Sequence, residues 1–264
     1  MKFKSYSKIN LGLWIKQKKV DGYHEIETVF LQNNNLYDDV DIEFSKNAST
    51  SIDIEFIQPE LNLLVPKEGN LAYKAANAFF EKNKIVGKCK IIIDKKIPLQ
   101  AGLGGGSSNA ACVLKALNQI FDNCLSEDEL LQLSNTLGSD VPFFIIGKTC
   151  LGKGRGEILK SLENNLALEI KIVKPEKVSI STKWAYDLID AREFVSEHND
   201  EIENIILALK TNNRELLLRN IFNDFEIVVF TNFPELINLR KQLFAEGFKA
   251  VGLCGSGSAL FGIK

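Results

Sequence analysis

The chain has 264 residues, 45% of them hydrophobic and 25% charged, ordinary globular values that exclude a disordered or fibrous chain. A chain this long can bury a core without disulfides or metals, as one large domain or two modest ones. The 32 Lys+Arg against 34 Asp+Glu give a net charge of −2, which argues against broad nucleic-acid binding, since that needs a basic face; any bound anion must be held locally.

The five cysteines form no CxxC pair, and with two histidines in total there is no zinc-site spacing. Neutral or buried thiols in a reducing cytoplasm are expected. The longest apolar run, Val141–Ile146, is far short of the roughly 18 residues of a membrane span. The start, Met1-Lys2-Phe3-Lys4-Ser5, carries no apolar signal region. The expected location is cytoplasmic, with no membrane partner; nothing indicates the oligomeric state.

In chain order, Ile9, Leu11, Leu13 and Ile15 alternate with Asn10, Gly12, Trp14 and Lys16, the period of a strand. Ile26–Leu31, Val40–Phe44 and Ile52–Ile57 read as further strands, the first two separated by Asn33-Asn34-Asn35. Asn70 is the expected N-cap of a helix carrying Leu71, Ala75, Ala78 and Phe79. A strand over Cys89–Ile93 leads to a loop, 94–106, and then a helix from Ser107/Ser108. Ser126-x-x-Glu129 is a capping box that opens another helix. Pro142–Ile146 reads as a buried strand, and so does Leu168–Val173. Helices are expected over Ile202–Leu209, Glu215–Ile221 and Pro234–Glu246, then two closing strands, Lys249–Cys254 and Ser258–Ile263. His198, beside Glu197, Asp200 and Glu201, reads as solvated. The class is α+β. The glycine-rich stretch Leu151–Glu157 is the expected boundary, giving lobes of 1–153 and 154–264.

Eleven of the 18 glycines fall in three clusters. The densest lies in Pro98-Leu99-Gln100-Ala101-Gly102-Leu103-Gly104-Gly105-Gly106-Ser107-Ser108-Asn109. Glycines let a backbone close on a ligand and turn its N–H groups inward, and the helix that follows offers unpaired amides at a positive dipole end. No lysine follows the glycines, so this is not a Walker loop, and position 107 is serine rather than the glycine of the dinucleotide fingerprint. The loop is an anion cradle of a different kind.

The loop resembles the ATP-phosphate loop of the GHMP kinase superfamily. Ser7-Lys8-Ile9-Asn10-Leu11-Gly12-Leu13 resembles the superfamily's first motif and Gly252-Leu253-Cys254-Gly255-Ser256-Gly257-Ser258 its third. Within that superfamily, Asp21-Gly22-Tyr23-His24-Glu25 with Lys8-Ile9-Asn10-Leu11 resembles the branch acting on a cytidine diphosphate-linked methylerythritol. Gly138-Ser139-Asp140-Val141-Pro142, Gly154-x-Gly156-Glu157 and Asn223-Asp224-Phe225-Glu226 also fit that branch.

The resemblance implies two lobes, the first like ribosomal S5 domain 2 and the second ferredoxin-like, with ligands in the cleft between them. It implies ATP-dependent phosphorylation of the substrate's 2-hydroxyl in the non-mevalonate isoprenoid route, with ATP on Gly102–Gly106. Asp140 becomes the base that takes the hydroxyl proton, and Lys8 the cation that steadies the phosphoryl group. Asn10 orients substrate, and Tyr23 and His24 meet the cytidine. Tyr186 supplies a second aromatic wall, with Trp184 as the alternative. Gly255, Ser256 and Gly257 close on the substrate. Asn70 and Lys95 fall on the adenine side, though Lys95-Lys96 also reads as a solvated pair. Mg2+ is expected with ATP, touching Ser107, Ser108 or Asp140; the sequence shows no paired carboxylates for a dedicated cage. The rivals are another kinase of the superfamily, such as a homoserine or mevalonate kinase, and a non-catalytic nucleotide- or RNA-binding protein. The Asp21–Glu25 motif argues against the first. The charge, with Lys8 and Asp140 both retained, argues against the second.

Overall fold

The alternation at Ile9–Ile15 builds a longer strand than its span predicts: β1 runs Lys2–Lys18. In the computed structural model, which describes residues 1–192, 198 and 200–264, Ile9, Leu11, Leu13 and Ile15 are all buried. So are Lys8 and Asn10 on the opposite face, so the middle of β1 is covered on both sides.

The two strands expected around Asn33-Asn34-Asn35 are one, β2 (His24–Ser45). Each end has its own partner strand, and Asn33 is itself buried; pairing overrides the poor β-propensity of the asparagines. There follow β3 (Ser51–Phe56), α1 (Pro59–Leu64), α2 (Leu71–Asn83), β4 (Lys88–Asp94), α3 (Gly105–Ile120) and α4 (Glu127–Asn135). The capping box and the Asn70 cap form as read. Ser126 accepts from Glu129 N while the Glu129 carboxylate reaches back, and Asn70 Oδ1 accepts from Ala72 N, each worth about 1 kcal/mol to its helix. Val141–Ile146 is not a strand but a helix, α5. A short apolar run is ambiguous by period alone, and Pro142 suits a first helical turn.

The chain continues through β5 (Cys150–Lys153), β6 (Ile158–Ser161), β7 (Ile170–Val173), α6 (Thr182–Ala191), α7 (Glu201–Thr211) and α8 (Arg214–Asn220). It closes with β8 (Phe222–Asn223), α9 (Glu226–Asn232), α10 (Pro234–Ala245), β9 (Ala250–Leu253) and β10 (Leu260–Ile263). Gly152–Gly156 is not a linker: β5 and β6 pair antiparallel, and Gly154–Gly156 lies in the turn between them.

By packing, the chain forms two compact units that no single cut separates. The first comprises Met1–Ser7, Asn34–Leu99 and Gly104–Gly147; the second comprises Lys8–Asn33, Gln100–Leu103 and Lys148–Lys264. In the first, β4 lies between β3, parallel, and the second half of β2, antiparallel. Ala72, Ala75, Ala76 and Phe79 of α2 and Ala110, Ala111, Leu114 and Leu117 of α3 are buried, small residues that let α2 and α3 pack closely. In the second, β10 is the middle of a three-stranded antiparallel sheet with β7 and β9. Leu13 and Ile15 join its core with Val178, Ile189, Phe225, Val228, Leu236 and Leu253. β8 pairs parallel with β1 at Gly12 and Leu13, and β5 pairs with β2 at Thr28–Phe30. All five cysteines are free thiols. Among the described residues no helix is long and apolar enough to cross a membrane.

Candidate active site

In the first unit the glycine loop becomes a helix two residues earlier than read. Gly104 caps α3 in the left-handed region, φ +70°, which a glycine adopts without strain. No side chain caps α3 and no acidic residue sits in its first turn. Its leading amides and positive dipole end are therefore left without a capping side chain or an acidic neighbour in the first turn. Asn70 is buried at the start of α2, its oxygen spent on the cap. The neighbouring Leu71 side chain lies beside Gly106. Asp140 is half-buried at the residue before α5.

The sequence reading puts Lys95 at adenine; the structure gives its ammonium a buried partner, Asp38. Asp38 is 0% and the Lys95 side chain 4% exposed. Burial pushes the Lys95 ammonium below the ordinary lysine value, and Asp38 opposes that shift. The same carboxylate accepts from Lys96 N and Ile97 N, each at 2.7 Å, and from Asn109 Nδ2 at 2.8 Å. Asn109 Nδ2 also donates to Ser5 Oγ at 2.8 Å, and Ser5 Oγ donates to Ser108 Oγ at 2.7 Å. The sequence reading passes over Asp38, yet a signal is present. Val40 and Ile42 alternate inward on β2, and Asp38 continues their face.

In the second unit Lys8, Asn10, Gly102 and Gly255 come together. Lys8 Nζ donates to Asn10 Oδ1 at 2.9 Å, and Gly255 N donates to the same oxygen at 3.1 Å. Asn10 Nδ2 donates to Thr28 Oγ1 at 2.8 Å. Lys8 N donates to Leu103 O at 3.0 Å, which ties β1 to the Gln100–Leu103 half of the loop. A side-chain carbon on Gly102 would collide with the Cys254 carbonyl, and φ there is +73°. Asn223 holds the third motif from below, donating to Leu253 O at 2.9 Å and Gly255 O at 2.8 Å. Ser256 Oγ meets Thr182 Oγ1 at 2.9 Å, and Gly257 follows in a left-handed conformation. Cys254 is fully buried, and that burial pushes its thiol up to about 12.

The aromatic residues divide. His24 is held by Lys16 O at Nδ1, 2.9 Å, and by Asp190 Oδ1 at Nε2, 2.7 Å. Its ring lies parallel to Tyr186, 5.2 Å between centroids. Trp184 instead packs edge-on against Phe233, which leaves Tyr186 as the aromatic beside His24. Lys18, first, and His24 hold the Asp190 carboxyl below the ordinary range. Tyr23 is 55% exposed. The Arg155 guanidinium sits 3.6 Å over its ring and pairs with Asp21 at 2.9 Å. His198 is not a solvated histidine. Its Nε2 lies 2.8 Å from Asp224 Oδ1 and its ring stacks on Phe222; Glu197 lies outside the described residues. Among the described residues no group of three or more His, Cys, Asp or Glu could hold a metal ion.

Residues 70–148 match the GHMP kinases N terminal domain and residues 205–264 the GHMP kinases C terminal family. The chain is 36% identical over 262 residues to the 4-diphosphocytidyl-2-C-methyl-D-erythritol kinase of Thermodesulfovibrio yellowstonii, covering 98% of this chain and 88% of that one. It is 38% identical to the enzyme of the same name from Caldicellulosiruptor bescii, covering 100% and 89%. A crystal structure of 4-(cytidine 5'-diphospho)-2C-methyl-D-erythritol kinase superposes with a TM-score of 0.81 at 33% identity, over 100% of this chain and 90% of that one. Homoserine kinase from Cytophaga hutchinsonii, 18% identical with a TM-score of 0.69 over 98% and 84%, shares the fold. Shared fold motifs, two matching domains and full-length relatives converge: the chain belongs to the GHMP kinases, in the family of 4-diphosphocytidyl-2-C-methyl-D-erythritol kinases.

Proposed function

We propose that this enzyme transfers the γ-phosphoryl group of ATP to the 2-hydroxyl of 4-diphosphocytidyl-2-C-methyl-D-erythritol, in the non-mevalonate isoprenoid route. The observation that carries this reading is the full-length relation to kinases of that name, in a chain whose own Lys8, Asn10 and Asp140 supply the chemistry. The Asp140 carboxylate accepts the proton of the 2-hydroxyl as its oxygen attacks the γ-phosphorus and ADP leaves. The Lys8 ammonium, oriented by Asn10, balances the charge spreading over the transferred group. The backbone amides of Gly102–Ser108 hold the phosphates, with Pro98–Ala101 leading into the cradle and Asn70 on the adenosine side. Tyr23, His24 and Tyr186 meet the cytidine, and Gly255–Gly257 close on the substrate. The hard oxygens of Ser107, Ser108 and Asp140 are of the kind that would hold a Mg2+ accompanying ATP, and such an ion would offset phosphate charge.

The test is a coupled ADP-release assay with this substrate, homoserine and mevalonate side by side. Turnover only with the cytidine compound is expected; turnover only with homoserine or mevalonate overturns the substrate. Asp140→Asn should lower kcat by about 10²–10⁴-fold while binding of a non-hydrolysable ATP analogue persists. Unchanged turnover in that variant would remove Asp140 from the chemistry.

A further inference from the structure

A buried carboxylate that the proposed chemistry does not use sits behind the glycine loop. Asp38 receives four donors: the Lys95 ammonium, the amides of Lys96 and Ile97, and the Asn109 side chain. Three of the donors precede the loop and the fourth follows it, so one carboxylate ties together the chain entering the loop and the helix leaving it. A buried ion pair is by itself a weak source of stability, since an apolar pair of the same volume serves as well. What an apolar pair cannot do is orient donors. Asp38 accepts only, so it admits a single orientation of the Asn109 amide. The second hydrogen of that amide then goes to Ser5 Oγ, and the Ser5 hydroxyl goes to Ser108 Oγ. On the other side, Lys95 is held against Gly105, where an added side-chain carbon would lie 2.7 Å from Nζ. Through Asp38 the start of α3 is thus bonded at Ser108 and Asn109, with the Lys95 ammonium packed beside Gly105.

We propose that Asp38 is a positioning residue for ATP, setting the first turn of α3 in its anion-binding geometry before nucleotide arrives. The proposal rests on the reading of residues 98–108 as the phosphate loop. Lys95 then acts from inside this network rather than at adenine.

The test compares wild type, Asp38→Asn, the doubly neutral Asp38→Asn/Lys95→Met and Ser5→Ala. In Asp38→Asn an amide faces the Asn109 amide and the lysine, donor against donor. KM for ATP and Kd for a non-hydrolysable ATP analogue should rise about tenfold, with KM for the cytidine substrate within about twofold. Nucleotide-free hydrogen exchange at Gly105–Asn109 should quicken relative to the rest of α3. The double variant removes the unbalanced charge but not the lost Asn109 acceptor, so its ATP KM should stay raised even where its Tm recovers. Ser5→Ala, which removes the Asn109–Ser5 and Ser5–Ser108 bonds but leaves Asp38 with its four donors, should raise the ATP KM alone. If the double variant regains the wild-type ATP KM with its Tm, or if both KM values rise together, Asp38 is a structural counterion and the proposal fails. A wild type that does not bind the ATP analogue overturns the phosphate loop itself; a wild type and an Asp38→Asn variant that bind it equally overturn only the role of Asp38.

Discussion

Replacing Gly102 by alanine puts a carbon atom into the Cys254 carbonyl at a backbone angle of φ +73°. Either problem alone strains the turn. We expect Gly102→Ala to lower Tm and to cost at least about 2 kcal/mol in denaturant unfolding, with a raised ATP KM. An unchanged Tm would show that the turn relaxes. Glu226 offers a pH test. Burial raises its carboxyl above the ordinary 4.5, against Arg240 and the Leu253 amide, which lower it. A raised group contributes stability that is fully present below the unfolded value and is lost as pH rises through the folded one. Wild-type Tm should therefore carry a decline that begins near pH 4.5 and continues upward, and Glu226→Gln should flatten it. Gln can still accept from Leu253 N, which Glu226 now does at 3.0 Å. An identical slope in both proteins, measured by thermal melts from pH 4 to 8, would discount Glu226. Residue chemistry was legible where period and type agreed: Lys8 and Asn10 share a strand face, two residues apart, and they do meet. Asp190 as the partner of His24 was not legible, since 166 residues separate them and no local pattern links such positions.

Among the elements, those with local end signals could be read. Asn70, Ser126 and the Pro234 start of α10 each carry a cap or a proline whose effect is complete within one turn. Elements decided by distant partners could not. β2 runs through its asparagines because strands lie against both ends. α5 is helical because an apolar hexamer takes its form from what surrounds it, and Val141–Ile145 are buried. The hairpin β5–β6 was hidden because its glycines resemble a linker. Its turn delivers Arg155 to the face of Tyr23 and to Asp21, while Ile26 N donates to Gly154 O at 2.7 Å. The hairpin therefore braces the Asp21–Glu25 turn. An exposed cation–π contact is worth roughly 0.5–1 kcal/mol. Arg155→Ala should raise KM for the cytidine substrate about two- to fivefold with kcat unchanged. Steady-state kinetics check this, and a fall in kcat at constant KM would assign Arg155 elsewhere.

At the scale of the molecule, the α+β class and the three glycine motifs were readable from the chain, but its division was not. A reading along the sequence seeks one boundary, whereas β1 and β2 each contribute residues to both compact units. A fragment of 154–264 lacks the β1 residues Leu13 and Ile15 of its own core. Expressed separately, 1–153 and 154–264 should each fail to give a cooperative melt, and the intact chain should unfold in one calorimetric transition. Two resolved transitions would contradict this.

Beside the glycine loop Lys8 and the Lys95 side chain are each 4% exposed, and each is bonded to a neighbouring side chain. Dissolved ions screen exposed charges far more than buried ones. On a chain of net charge −2 there is also little long-range field to draw a polyanion in. Nucleotide affinity should then respond weakly to ionic strength. Raising KCl from about 0.05 to 0.5 M should shift the ATP KM by less than about threefold. The enzyme would keep its grip on nucleotide as the salt content of its surroundings changes.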